Sequence, residues 1–420
     1  MQVNETYDVV VAGGGPAGAC TAALVAEQGH KVLLLERSLE PEFKVGESLM
    51  PATYWTLDRL GVNERMHASG FVKKHSVQFY PGSGRGTAPF YFSDIEKNPS
   101  AQTWQVVRKE FDQMLLDNAA DKGAEVYRGA SVQKIVLDGE RATGVRATLR
   151  TGESREISAK VIVDATGQRA MLADHLRIKE INPCLKHASF FTHFDGAHRD
   201  DGLDEGATII LHNEDETAWF WYIPMPNNSV SVGVVSTLEY LIKSRSGDPQ
   251  AVFDAELRKC PPVLERLENA KQNRPVQVAR DFSYVSRQMA GDGWMLVGDA
   301  FGFLDPIYSS GVFLALKSGE FAADAILDAL AHDDPSEARL RQFEEEYLGG
   351  MDAIRQLVYA FYNPDFSFSK FLKRYPECRE DIVHILIGNV YRVSVDRLRE
   401  PLAAMCGLST GEEPIAASTA

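Results

Sequence analysis

The chain has 420 residues, 44% of them hydrophobic and 25% charged, a balance that suits a soluble globular protein of about two or three structural units. Its 44 basic and 59 acidic residues sum to −15, which repels nucleic-acid phosphates and anionic membrane surfaces and argues against either as a partner. Five scattered cysteines (Cys20, Cys184, Cys260, Cys378, Cys406) form no CxxC pair, so composition indicates neither a disulfide framework nor a metal site and implies a reducing cytoplasm.

The uncharged stretch Val9 to Ala26 is no targeting signal, because Glu5 and Asp8 precede it and glycines and Pro16 interrupt it. Tyr7 to Ala12 is a β-branched run that predicts a strand, Ala17 to Gly29 a helix, and Lys31 to Leu35 a second buried strand. Between strand and helix, Gly13-Gly14-Gly15-Pro16-Ala17-Gly18 fits GxGxxG. Glu36 closes the second strand near the spacing at which an acid reaches a ribose hydroxyl. A loop through Gly46, Glu47 and Ser48 leads to a helix over Ala52 to Leu60, and the breaker-rich Pro81 to Pro89 predicts a mobile flap. A helix from Arg108 to Ala120, short strands, and a buried strand Lys160 to Asp164 follow.

From Ser189 to Ser236 alternating apolar runs predict an antiparallel sheet in a second domain. The acids beside its turns (Asp200, Asp201, Asp204, Glu205, Glu214, Asp215, Glu216) read as a solvated surface. A strand over Gly293 to Val297 and a helix over Gly311 to Leu330 return the chain to the first domain, and the remainder is helical. The predicted organisation is a discontinuous nucleotide-binding domain (1–72, 105–180, 275–330), a substrate domain (73–104, 181–274) and a helical C-terminal region (331–420).

Three short motifs carry the chemistry of the first domain. GxGxxG lets backbone N–H groups approach a pyrophosphate at a helix N-terminus, Asp164-Ala165-Thr166-Gly167 follows one buried strand, and Gly298-Asp299 follows another. In this order they resemble the glutathione-reductase-type FAD enzymes of the monooxygenase class. That resemblance implies an α/β FAD-binding fold with an antiparallel substrate sheet, Asp299 on the ribityl chain and Arg108 near the flavin. The residues it marks for the cofactor are Gly13, Gly15, Pro16, Ala17, Gly18, Glu36, Arg37, Gly46, Glu47, Ser48, Arg108, Asp299, Pro306 and Gly311. No second GxGxxG offers a site for a nicotinamide, so reducing equivalents arrive either by transient docking or from a separate flavin reductase.

Trp219-Phe220-Trp221-Tyr222-Ile223-Pro224 matches WxWxIP, and Phe303 to Gly311 matches F-x-x-P-x-x-S-x-G. With these motifs the chain resembles the flavin-dependent halogenases over about residues 5 to 400, more closely their phenol- and pyrrole-acting branch. Strand alternation puts Trp219, Trp221 and Ile223 on one side. The resemblance makes them, with Pro224, a wall between flavin and organic substrate. It places chloride or bromide at the backbone N–H groups of Ser310 and Gly311, where a helix begins. It also implies a lysine that delivers hypohalous acid. Alternation points one of Lys73 and Lys74 inward, and the resemblance selects Lys74. Burial favours its neutral, reactive form, while a charged form would polarise the acid.

The expected activity is therefore FADH2- and O2-dependent halogenation of an electron-rich aromatic ring, free or tethered to a carrier protein. The alternatives are a single-component FAD aromatic hydroxylase and an isoprenoid double-bond reductase. The turn carries Tyr308 where tryptophan halogenases have a glutamate, which favours a phenol or pyrrole. The histidine that follows GDA in aromatic hydroxylases is absent.

Overall fold

The computed structural model describes residues 6–243, 247–280 and 282–406. A parallel sheet runs in the order Trp294–Leu296, Ser154–Asp164, Thr6–Ala12, Val32–Glu36, Glu125–Arg128. Its central strands are runs of Val, Leu and Ile closed to solvent on both faces, as parallel strands covered by helices must be. An antiparallel meander, Ser131–Asp138 to Arg141–Thr148, joins it through Ser154–Asp164.

The helices Pro16–Glu27 and Ser310–Ala331 pack closely on this sheet. A Cβ at Gly319 would stand 2.6 Å from the Ala17 carbonyl oxygen, and the Thr21 hydroxyl donates to the Gly319 carbonyl at 3.2 Å. Small residues at the crossing let the N-termini of both helices converge at the C-terminal ends of the parallel strands, where ligands bind in such sheets.

A second sheet is antiparallel over most of its width, with Trp219–Met225 between Thr208–His212 and Ser229–Thr237. Ser76–Tyr80 extends it in parallel beside Thr208–His212. Its two faces belong to different cores: Trp219, Trp221 and Ile223 face the nucleotide domain and the C-terminal helices, whereas Phe220 and Tyr222 pack on Pro249–Leu257 and Pro261–Leu267. Those last two helices, each opening on proline, are absent from the sequence reading. So is the pairing of the lysine-bearing strand Val72–Lys74 with Thr103–Gln105.

Two of the acids read as solvated are structural anchors instead. Asp204 accepts from Ser76 Oγ at 2.6 Å and Tyr91 OH at 2.8 Å, and Asp200 accepts from Arg266 at 2.9 Å. Among the described residues no helix is long and apolar enough to cross a membrane.

Candidate active site

The glycine turn shapes one end of a cavity of about 560 Å³ between the two sheets. Gly13 has φ +117°, and a Cβ there would meet the Ala165 carbonyl oxygen at 2.2 Å; a Cβ on Gly18 would meet the Gly13 carbonyl oxygen at 2.1 Å. Gly15 differs: nothing lies within 4 Å of its missing Cβ, and it begins the helix Pro16–Glu27 without a side-chain cap. Free first-turn N–H groups facing open space fit a diphosphate. Glu36 accepts the Gly14 N–H at 2.7 Å and the Ser38 N–H at 2.8 Å, which fixes its carboxylate at the rim where a ribose would lie. Asp164 is spent on its own turn, accepting from the N–H groups of Thr166 and Leu172 at 3.0 and 2.7 Å. Every sequence-selected cofactor residue except Gly18 lines the cavity, and Gly18 packs beneath it.

The segment Phe43 to Ser48 crosses the cavity and is held from both sides. Arg108 donates to the Val45 carbonyl at 2.6 Å and forks onto Asp112 at 2.9 and 3.0 Å. Gly46, with φ +110°, is the one residue type that leaves room for that guanidinium, which would sit 2.8 Å from a Cβ. Burial alone would lower the Arg108 guanidinium, and the carboxylates of Asp112, Asp299 and Glu47 outweigh it, so its net shift is upward. Burial pushes the Asp299 carboxyl up to about 6 against the pull of Arg108 and Lys44. From the second sheet, His193 Nε2 meets Glu47 Oε1 at 2.7 Å, both groups buried.

Trp221 and Ile223 line the cavity, and Trp219 stands behind them, its ring 6.3 Å from that of Trp221. Trp219 Nε1 donates to Tyr362 OH at 3.0 Å, and that hydroxyl donates to Asp305 at 3.0 Å. Trp221 Nε1 donates to Ser231 Oγ at 3.1 Å. Pro224 pairs with Val230, which belongs to the core on the other face, and does not reach the cavity.

Across the cavity, Gly311 lines it at the start of Ser310–Ala331, a helix with no side-chain cap; Ser310 is buried beside it and does not line the space. A Cβ at Gly311 would stand 2.8 Å from the Phe303 ring.

Lys73 is exposed and Lys74 is buried, as the pairing of Val72–Lys74 with Thr103–Gln105 dictates. Lys74 Nζ donates to Ser48 Oγ at 2.9 Å and to the Leu49 carbonyl at 3.2 Å, and lies 5.5 Å from the Phe92 ring centre. With no carboxylate bonded to it among the described residues, desolvation lowers its pKa to about 7.

His193, Gln105, Thr208 and Gly233 are absent from the sequence selection. An isolated glycine within the run Ser229 to Ser236 signals close approach of another group, and the other three had no comparable local signal.

The family model described as an FAD binding domain matches residues 6–348. The chain is 32% identical to the 1H-pyrrole-2-carbonyl peptidyl-carrier protein chlorinase of Pseudomonas fluorescens, over 96% of this chain and 94% of that protein. It is 30% identical to the tryptophan 2-halogenase of Chondromyces crocatus, over 86% of this chain and 69% of that protein. The solved structure of a flavin-dependent brominase matches with TM-score 0.84 and 29% identity, covering 95% of this chain and 98% of that one. A cavity shaped for FAD and near-full-length likeness to these relatives together establish that the chain belongs to the flavin-dependent halogenases and is an FAD-dependent halogenase.

Proposed function

We propose that this enzyme halogenates a phenol or pyrrole, with a carrier-tethered pyrrole the favoured substrate, and that Lys74 delivers the halogen. The observation that carries the role of Lys74 is its burial directly behind Ser48, a wall residue of the FAD cavity, with no counter-ion bonded to it among the described residues. Support for the substrate class comes from the relatives whose names specify pyrrole on a carrier protein, a chlorinase and a brominase of Pseudoalteromonas luteoviolacea that is 31% identical.

The glycine turn and Pro16–Glu27 would hold the diphosphate of FAD, Glu36 and Arg37 the ribose end and Asp299 the ribityl chain, with Phe43 to Ser48 lining the same cavity. When bound, reduced FAD, provided by a separate flavin reductase in the cytoplasm, would supply the two electrons by which dioxygen becomes able to oxidise halide to hypohalous acid. The N–H of Gly311, in the first turn of Ser310–Ala331 and on the cavity wall, holds the halide by helix dipole and a hydrogen bond, with Ser310 buried beside it. Trp221 and Ile223 keep the organic ring from the flavin, so only a small oxidant crosses. The ring then gains a carbon–halogen bond and loses a C–H bond, whose proton leaves with the hydroxyl of the acid as water.

The test is product mass from enzyme, a flavin reductase, NADH, oxygen and halide with carrier-loaded pyrrole and free phenols. A halogenated product is expected. A hydroxylated or a saturated product would replace this reading by the hydroxylase or the double-bond reductase.

A further inference from the structure

Lys74 does not line the FAD cavity. Between the two stand Ser48 and Thr208, both cavity residues, whose hydroxyls lie 2.9 Å apart. Gln105 completes the cluster: its Nε2 donates to Thr208 Oγ1 at 2.8 Å and to the Gly206 carbonyl at 2.9 Å. The Gly206 oxygen only accepts, so the amide has one orientation, and Gln105 Oε1 is left as a buried acceptor with no partner among the described residues. Ser48, Thr208, Gln105 and Lys74 are 3, 2, 0 and 4% exposed. A buried carbonyl without a donor is costly, and a cluster of buried hydroxyl and amide groups between the cavity and Lys74 requires a reason.

We propose that Ser48, Thr208 and Gln105 form a port through which a small neutral oxyacid passes from the FAD cavity to Lys74. This rests on the halogenase reading and names the route its hypohalous acid takes. The Ser48–Thr208 hydroxyl pair exchanges its hydrogen bonds for those of the arriving acid. The free Gln105 carbonyl accepts the acid's O–H, which frees Ser48 to release the lysine. Only hydrogen bonds change; the acid crosses intact. Ser48, Thr208 and Gln105 bind the acid only in passing, and Lys74 is the group that delivers its halogen.

Cyanate tests the port without turnover, because its conjugate acid, isocyanic acid, is small, neutral and an N–H donor that adds across its carbon to a neutral amine. The FAD-loaded and FAD-free protein are treated at pH 8, and carbamoylation of Lys74 is read by peptide mass spectrometry against the exposed Lys73. Thr208→Val and Gln105→Leu should each slow Lys74 labelling relative to Lys73 by at least about tenfold, while Thr208→Ser, which keeps a hydroxyl, restores it. Wild-type labelling ratios in both Thr208→Val and Gln105→Leu would overturn the port, as would a failure of Thr208→Ser to exceed Thr208→Val. The labelling ratio is read even if no substrate is halogenated, so loss of the halogenase reading and loss of the port give separate results.

Discussion

Gly233 has no side chain where the Trp221 indole lies: a Cβ there would stand 2.2 Å from Trp221 Cζ2. The two residues are cross-strand partners, so the glycine is what allows the indole to lie flat along the sheet and close the cavity. Gly233→Ala should push the ring out, at a cost of about 1–3 kcal/mol for an overpacked core. With the wall displaced, the ratio of hydroxylated to halogenated product should rise. A variant that keeps wild-type product ratios while losing stability would leave the wall without its assigned role.

Two neighbouring glycines should separate folding from cofactor binding. Gly13→Ala forces a side chain against the Ala165 carbonyl at φ +117°, so the FAD-free protein should lose more than about 1 kcal/mol in urea unfolding. Gly15 has φ −73° and ψ −179°, open to any residue, and its missing side chain faces empty space. Gly15→Val should therefore hold FAD-free stability within about 0.5 kcal/mol. FAD affinity, followed by flavin fluorescence, should fall at least about tenfold because the diphosphate loses its close approach.

Tyr362 joins the wall to the turn before the helix Ser310–Ala331, receiving the Trp219 N–H and donating to Asp305. Burial and the Asp305 charge push its phenol well above the usual tyrosine range, so it remains a donor at any working pH. Tyr362→Phe leaves the Trp219 N–H and one Asp305 interaction unmet, and the urea midpoint should fall by the equivalent of about 1–3 kcal/mol. Trp219 emission should shift with it.

Local pattern carried most of the FAD fold. The strand–turn–helix from Thr6 to Glu27 and the alternation of Trp219, Trp221 and Ile223 are short-range periodicities that the structure reproduces within a residue or two. Tertiary partners left no such trace. Asp204 read as solvated because Ser76 and Tyr91, its donors, lie 128 and 113 residues away. Gln105 reached Thr208 across 103 residues, and His193 reached Glu47 across 146. Long-range polar pairs satisfy buried groups without altering the sequence pattern around either member. Lys74 was reached through the halogenase resemblance, which marked the pair Lys73 and Lys74 and chose between them; strand alternation added only that one of the two points inward.

The Lys74 ammonium links stability and chemistry to pH in a single window. Its pKa is lowered from 10.5 to about 7 by desolvation, while in the unfolded chain it returns to its ordinary value. Below pH 7 both states carry the proton and the folded protein bears the full cost of burying the charge. Between about 7 and 10.5 the unfolded state binds more protons than the native one, so stability rises with pH, by up to about 1.4 kcal/mol per unit. Lys74→Met removes that titration. The difference in unfolding free energy, variant minus wild type, should therefore be largest near pH 6.5 and decline steadily to pH 9.5; curves that run parallel would mean the lysine does not titrate there. The same window separates the two chemical roles open to this side chain. If the neutral amine reacts with hypohalous acid, halogenated product per flavin oxidised rises through pH 7, whereas if the ammonium polarises the acid, that ratio falls.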